Sequence, residues 1–284
     1  MRIRHVFVLA TLLLPNLTVA QSRPSVSTKT VVVPSGNLRL KAYLWRPAGS
    51  APSPAVLFIH GSGTDSVHTG GFAITEAAEK LAPIFINHGY VFLYLFRRGQ
   101  GLSSDQGEFI QDVLRREKAG KGKEGAKRLQ FSLLTKDHLD DVIAGLSFLK
   151  RLSGVDANRI VVVGHSFGGQ LALLAAERDS TLRAAVTFSA AAASWDSSPE
   201  IRESMLTAVR KTVAPLMLLH AANDYSTTPG KAIADELARL GKPHVLKIYP
   251  AVGNTADDGH NFVYTAVALW EADVFKFLGK YARH

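Results

Sequence analysis

The sequence predicts an α/β protein, with a mostly parallel sheet of eight strands and helices on both faces. Three observations predict it. From about Thr28 onward, strand-like and helix-like stretches alternate to the end of the chain, the pattern of repeated strand–helix–strand units. The strand-like stretches, among them "AVLFIHG", "YVFLYLF" and "RIVVVG", are continuous apolar runs, as in strands covered on both faces. The 284 residues, 46% hydrophobic and 20% charged, also suffice for the core of one large domain.

The first twenty residues stand apart. "MRIRHVFVLATLLLPNLTVAQ" has a basic start at Arg2 and Arg4, an apolar run over 6–14, and small residues Thr18 and Ala20 ahead of Gln21. This predicts a secretory signal peptide over 1–20, because the run is too short to cross a bilayer as a helix. An uncleaved anchor is the alternative. The expectation is then a single domain over 21–284, exported to the periplasm or the extracellular space and not inserted in a membrane once the signal is removed. No later stretch reaches the roughly 18 apolar residues of a spanning helix.

"TKTVVV" and "LRLKAYLW" flank the turn "PSGN" and predict an antiparallel hairpin. A Pro/Ser/Gly-rich connector leads to "AVLFIHG", the third strand. "AITEAAEKLAPIFINHG" has the spacing of an amphipathic helix closed by Gly89, and "YVFLYLF" is the fourth strand. "TKDHLDDVIAGLSFLKRL" carries acids early and Lys150 and Arg151 late, as the helix dipole favours. "RIVVVG" and "QLALLAAERD" are the next strand and helix. "RAAVTFSA", "PLMLLHA" and "HVLKIYP" complete the strands, with the helix "GKAIADELARLG" between the last two. "FVYTAVALWEADVFKFLGKYA" predicts one closing helix, with His260 in the loop before it. Residues 97–134 and 191–214 depart from simple winding, and long excursions of this kind cover or shape a site. The second is short enough to serve as a small lid.

Formal net charge is +9, and removing Arg2 and Arg4 with the signal leaves 9 − 2 = +7. Part of the excess is local: "VLRREKAGKGKEGAKR" carries seven Lys/Arg against two Glu. It has no interleaved aromatics, so a solvated loop–helix face is expected there rather than a nucleic-acid surface. Its Gly-Lys pairs do not match a phosphate-binding loop. With no cysteine, the chain has no disulfide, thiolate metal site or cysteine nucleophile.

Gly164-His165-Ser166-Phe167-Gly168 matches G-x-S-x-G between a strand and a helix. Such a corner strains the central residue and presents its hydroxyl at the carboxyl edge of the sheet. Serine needs a general base, and the base needs an orienting acid, in the chain order Ser, Asp/Glu, His. Asp224 follows the strand "PLMLLHA", and His260 sits in "DDGHNF" after the last strand. Asp257 and Asp258 are the alternative acids. His88, His138, His165, His220 and His244 are placed less well, His165 because it points away from its own neighbour. The oxyanion requires amide donors. Phe167, after the nucleophile, supplies one, and Ser62 in "HGSG" the other, with Gly61 or Gly63 one position away as alternatives.

In order and spacing, "HGSG", "RRGQGLS", "GHSFGG", "AND" and "DGHNF" resemble the α/β-hydrolase fold, and within it the dienelactone-hydrolase-like and prolyl-oligopeptidase-like branches. The resemblance covers nearly all of 21–284. It implies Ser166 as nucleophile, Asp224 as acid, His260 as base, Ser62 and Phe167 as oxyanion donors, and a short lid or none. Dienelactone hydrolases use cysteine where this chain has Ser166, and the peptidases carry a large N-terminal domain that 21–284 does not include. The resemblance also places "RRGQGLS" after the fourth strand near the pocket. There Arg97 and Arg98 either pair with helix acids or face an anionic substrate, and the structural role is preferred.

The expected activity is hydrolysis of a small-molecule carboxylic ester through an acyl-serine, with no metal or organic cofactor and no nucleic-acid partner. A serine peptidase or amidase is the alternative, and a non-catalytic binding protein on the same fold is a third reading. Acyl and alcohol specificity and oligomeric state are not legible.

Overall fold

The computed structural model describes residues 28–49 and 51–282, so the expected signal peptide lies outside the described residues. Eight strands form the main sheet: β1 (Lys29–Ser35), β2 (Leu38–Trp45), β3 (Ser53–Ile59), β4 (Val91–Leu95), β5 (Val155–His165), β6 (Ala184–Phe188), β7 (Leu216–Ala221) and β8 (His244–Tyr249). Their order is β1-β2-β4-β3-β5-β6-β7-β8. β1 pairs antiparallel with β2, and β2 antiparallel with β4; every other neighbour is parallel. Ile59 lies opposite Gly164, and His165 opposite Phe188, so the carboxyl ends of β3, β5 and β6 reach one edge together. Residues just beyond those ends are thereby gathered into one place.

The helices are α1 (Ile74–Asn87), α2 (Ile110–Thr135), α3 (Asp137–Arg151), α4 (Phe167–Arg178), α5 (Pro199–Lys211), α6 (Thr228–Arg239), α7 (Ala256–His260), α8 (Phe262–Thr265) and α9 (Val267–Ala282). Alternate strand residues point to opposite faces. Leu57, Leu93, Val162 and Leu218 pack with α3, α4, α5 and α6. Phe58, Phe92, Val163 and Leu219 pack with α1 and α9. Both faces are covered, which is why the central strands β3, β4, β6 and β7 read as unbroken apolar runs.

Three expectations change. The basic excursion is largely helical: α2 occupies most of it, broken at Gly122, where φ 71 and ψ −175 interrupt the helix. The connection 191–214 is also largely helical, and its first residues line a cleft beside Ser166. Its helix α5 buries Ile201, Met205, Ala208 and Val209 in the core, because those residues recur at helical spacing. The closing helix is divided at Ala266, where the indole N–H of Trp270 donates to the Val263 carbonyl and Phe262 and Val263 turn into the core. His260 consequently ends a one-turn helix, α7, that is capped reciprocally by Thr255 and Asp258. Among the described residues no helix is long and apolar enough to cross a membrane.

Candidate active site

Ser166 stands alone between the last residue of β5 and the first of α4. Its φ of 55 and ψ of −118 are strained for a residue with a side chain. The surroundings enforce the strain: the Ser166 amide donates to Phe188 O at 2.8 Å, and a Cβ on Gly164 would strike the Gly168 carbonyl. A Cβ on Gly168 would strike the Ile59 carbonyl at the end of β3. Only glycine lets these three segments close on one another.

Ser166, His260 and Asp224 lie in one hydrogen-bonded chain. The Ser166 hydroxyl is 2.8 Å from His260 Nε2, and His260 Nδ1 is 2.7 Å from Asp224 Oδ1. A carboxylate only accepts, so Nδ1 carries the proton and Nε2 is free to accept from the serine. Asp224 Oδ1 also accepts from the Tyr225 amide at 2.8 Å, and Oδ2 accepts from His220 Nδ1 at 2.8 Å. Burial works to raise the Asp224 carboxyl. Hydrogen bonds from His220 and His260 outweigh it and hold the group well below the usual carboxylate range.

Several histidines differ from their sequence reading. His220 is a partner of Asp224 rather than a plain strand residue. His165, inside the elbow, packs against His260: its ring is 5.1 Å from that of His260, and its Nε2–H donates to the His260 carbonyl at 2.9 Å. Ser189 Oγ donates to the same carbonyl at 3.0 Å. Burial, with His260 beside it, pushes His165 down to about 3, so the ring is neutral. The alternative acids are engaged elsewhere. Asp258 caps α7, and Asp257 accepts from the Tyr225 hydroxyl at 2.6 Å.

The "HGSG" loop runs against Ser166. A Cβ on Gly61 would lie 3.2 Å from Ser166 Cβ. Among the described residues, neither the Ser62 nor the Phe167 amide has an acceptor. Residues of "RRGQG" hold this loop from behind: Gln100 Nε2 donates to Ser62 O at 2.6 Å. Arg98 behaves as the preferred reading expects, bonding Asp137 and Asp141 of α3. Arg97 does not. It is fully buried and has no carboxylate within ion-pair distance among the described residues. Its guanidinium donates to Gly61 O at 2.9 Å, His60 O at 3.2 Å and His138 Nδ1 at 3.0 Å, and lies 5.0 Å from the Phe167 ring centre. Burial lowers it to about 10, so it remains a cation at neutral pH. Burial, reinforced by Arg97, holds His60 and His138 well below the usual imidazole range and therefore neutral.

Two clefts of similar size meet at Ser62 and Ser166. One, of about 190 Å³, includes His260, Tyr225, Asp257 and Asn261. The other, of about 180 Å³, includes Gln111, Gln130, Gln170, Ser194 and Ser197, with Phe167 and Ala191. Gln111 and Gln130 come from either side of the break in α2, and nothing in the sequence marks them as site residues. A larger groove of about 440 Å³, lined by Asn158, Leu182, Arg183 and Tyr281, lies at the amino ends of the strands, away from these groups. No group of three or more ligating side chains among the described residues is arranged to hold a metal.

Residues 40–282 match the dienelactone hydrolase family. This chain belongs to that family. The dienelactone hydrolase of Anabaena variabilis superposes on 91% of this family member and 99% of its own length, with a TM-score of 0.59 and 20% identity. Est1E of Butyrivibrio proteoclasticus, solved with ferulic acid bound, covers 88% of this chain and 98% of its own, at a TM-score of 0.60 and 19% identity. The acylaminoacyl peptidase of Pyrococcus horikoshii covers 91% of this chain at a TM-score of 0.62 and 16% identity, but only 42% of its own length is matched. These likenesses show the α/β-hydrolase fold. A curated relative, the quorum-quenching protein AidA of Acinetobacter baumannii (strain MDR-ZJ06), is 28% identical over 153 residues, 54% of this chain and 40% of its own. The chain spans less than half the length of the curated relative it matches.

Proposed function

We propose that this protein hydrolyses small carboxylic esters through an acyl-serine. The observation that carries the reading is the unbroken chain Ser166–His260–Asp224 beside two amides without acceptors. His260 Nε2 takes the hydroxyl proton as Ser166 Oγ attacks the ester carbonyl, and the Asp224 carboxylate stabilises the resulting imidazolium. The Ser62 and Phe167 amides receive the oxyanion of the tetrahedral intermediate. Collapse expels the alcohol, which takes its proton from His260. Water, deprotonated by the same nitrogen, then releases the acid and restores the serine.

The two clefts divide the substrate. The leaving oxygen must come within reach of His260 Nε2, so the alcohol occupies the cleft containing His260. The acyl chain takes the other, whose polar lining carries no charge: Gln111, Gln130, Gln170, Ser194 and Ser197. An uncharged acyl group bearing hydroxyl or carbonyl groups suits it. Their small size supports a compact ester over an extended peptide. We also propose export, with the segment 1–20 removed as a signal peptide and Gln21 the new N-terminus.

The test is a panel of nitrophenyl esters differing in acyl group, run beside an aminoacyl anilide, with wild type and Ser166→Ala. Ester turnover that exceeds anilide turnover and falls by on the order of a million-fold in Ser166→Ala is expected. Anilide preference would favour peptidase chemistry. No labelling of Ser166 by a fluorophosphonate would remove the acyl-serine altogether.

A further inference from the structure

The fully buried Arg97 has no part in the steps above, yet its guanidinium touches both sides of the oxyanion site. Gly61 O belongs to the same peptide group as the Ser62 N–H. That group is planar and trans, so its carbonyl and N–H point in opposite directions. The Gly61 carbonyl faces inward and accepts two hydrogen bonds: 2.9 Å from Arg97 Nη2 and 2.7 Å from His60 Nδ1. His60 Nδ1 carries a proton because Nε2 faces the Arg97 amide, 3.4 Å away, and accepts from it. Across the site, the same guanidinium lies 5.0 Å from the centre of the ring of Phe167, the residue with the second amide.

We propose that Arg97 is a positioning residue for the oxyanion hole. By fixing the Gly61 carbonyl it aims the Ser62 N–H at the reacting carbon's oxygen, and as a buried cation it polarises that peptide so that its N–H becomes a stronger donor. The arrangement accounts for a buried cation with no carboxylate within ion-pair distance among the described residues, Asp141 being paired with Arg98 and acting on it only from farther off. A carboxylate partner would neutralise the field, whereas backbone carbonyls leave it directed along the peptide toward the site. His138 completes the cradle by accepting at Nδ1 from Arg97 Nη1 at 3.0 Å.

The role rests on Ser62 as an oxyanion donor within the ester reading. Fluorophosphonate labelling of the wild type is therefore done first and tests that reading by itself. Arg97→Met and Arg97→Lys are then assayed on p-nitrophenyl acetate. In parallel, inhibition is measured with a trifluoromethyl ketone, which adds to the serine and forms an oxyanion, and with the matching methyl ketone, which occupies the site without that charge. Removal of a full oxyanion donor lowers turnover by about 10²–10³-fold. Loss of its anchor should lower kcat by about 10–100-fold in Arg97→Met, with KM within threefold. Affinity for the trifluoromethyl ketone should fall in step, and affinity for the methyl ketone should not change. Arg97→Lys keeps the charge and should recover part of the loss; if Arg97→Met does not fold, the lysine variant carries the test with at least a fivefold loss in kcat. A labelled, folded enzyme whose kcat stays within threefold in both variants overturns the proposal. So does a fall in kcat without weaker trifluoromethyl ketone binding, which would mark a general packing defect.

Discussion

His220 Nδ1 donates to Asp224 Oδ2 at 2.8 Å, so the carboxylate that orients His260 is itself held from its far side by a second imidazole. Both carboxylate oxygens are filled and the group is buried. Without His220, Oδ2 would be a buried, unpartnered acceptor, and the carboxylate would be free to rotate away from His260. His220→Ala should lower kcat by roughly tenfold and destabilise the fold by about 1–3 kcal/mol. His220→Asn, able to donate, should regain part of both. Steady-state kinetics with urea unfolding checks this; unchanged kcat in the alanine variant would make the contact merely structural.

In the proposed reaction Ser166, His260 and Asp224 act as one relay, so their losses should not add. Ser166→Ala and the double variant with His260→Ala should be equally inactive, each retaining about 10³–10⁴-fold acceleration over water from the amides and binding. Single-turnover assays at high enzyme concentration make the comparison. Multiplicative losses would mean that the two side chains serve separate steps.

His60, His138 and His165 are neutral in the fold, each with its pKa lowered, and regain ordinary imidazole behaviour near 6.5 when unfolded. Below about pH 6.5 the unfolded chain binds protons that the folded chain does not. Stability therefore falls with pH, by up to about 1.4 kcal/mol per pH unit for each residue, and for His165 down to about pH 3. Asp224 has its pKa lowered too, and as an acid it contributes stability that is lost only as pH falls below the ordinary carboxylate range, so it adds to the decline only below about pH 4. Urea midpoints at pH 7.5, 6 and 5 should decline steadily. A level profile would show that these rings are charged in the fold.

Gln111 and Gln130 set the polarity of the cleft assigned to the acyl group. Replacing both with leucine should shift the ratio of kcat/KM for a butyryl ester over a lactyl ester by at least about tenfold toward butyryl, or about 1.4 kcal/mol. Comparing the two esters in both proteins measures it. An unchanged ratio would place the acyl chain elsewhere.

Ser166 and Asp224 were legible because each follows closely on a strand whose apolar run is unmistakable, and His260 because it lies between the last strand and the closing helices; the parallel register brings the strand ends together. His220 was not. A histidine inside "LMLLHA" gives no sign that its partner is the acid four residues on. Arg97 was noticed, but sequence pairs arginine with acids, and here the acids go to Arg98 while Arg97 takes carbonyls. The form of α2 was hidden by the three glycines of "AGKGKEG", which weaken any helical signal. The break at Ala266 has no proline or glycine to announce it; it follows from where Phe262 and Val263 must be buried.

The interruption at Gly122 lets one excursion between β4 and α3 deliver Gln111 and Gln130 to the same cleft, while Ser166, Asp224 and His260 come from later in the chain. On the proposed reading, part of the acyl cleft is thus encoded apart from Ser166, His260 and Asp224, while Gln170, Ser194 and Ser197 of the same cleft follow the serine in sequence. Exchange of residues 110–135 between homologues offers a route to new preferences that leaves the bond-breaking apparatus untouched.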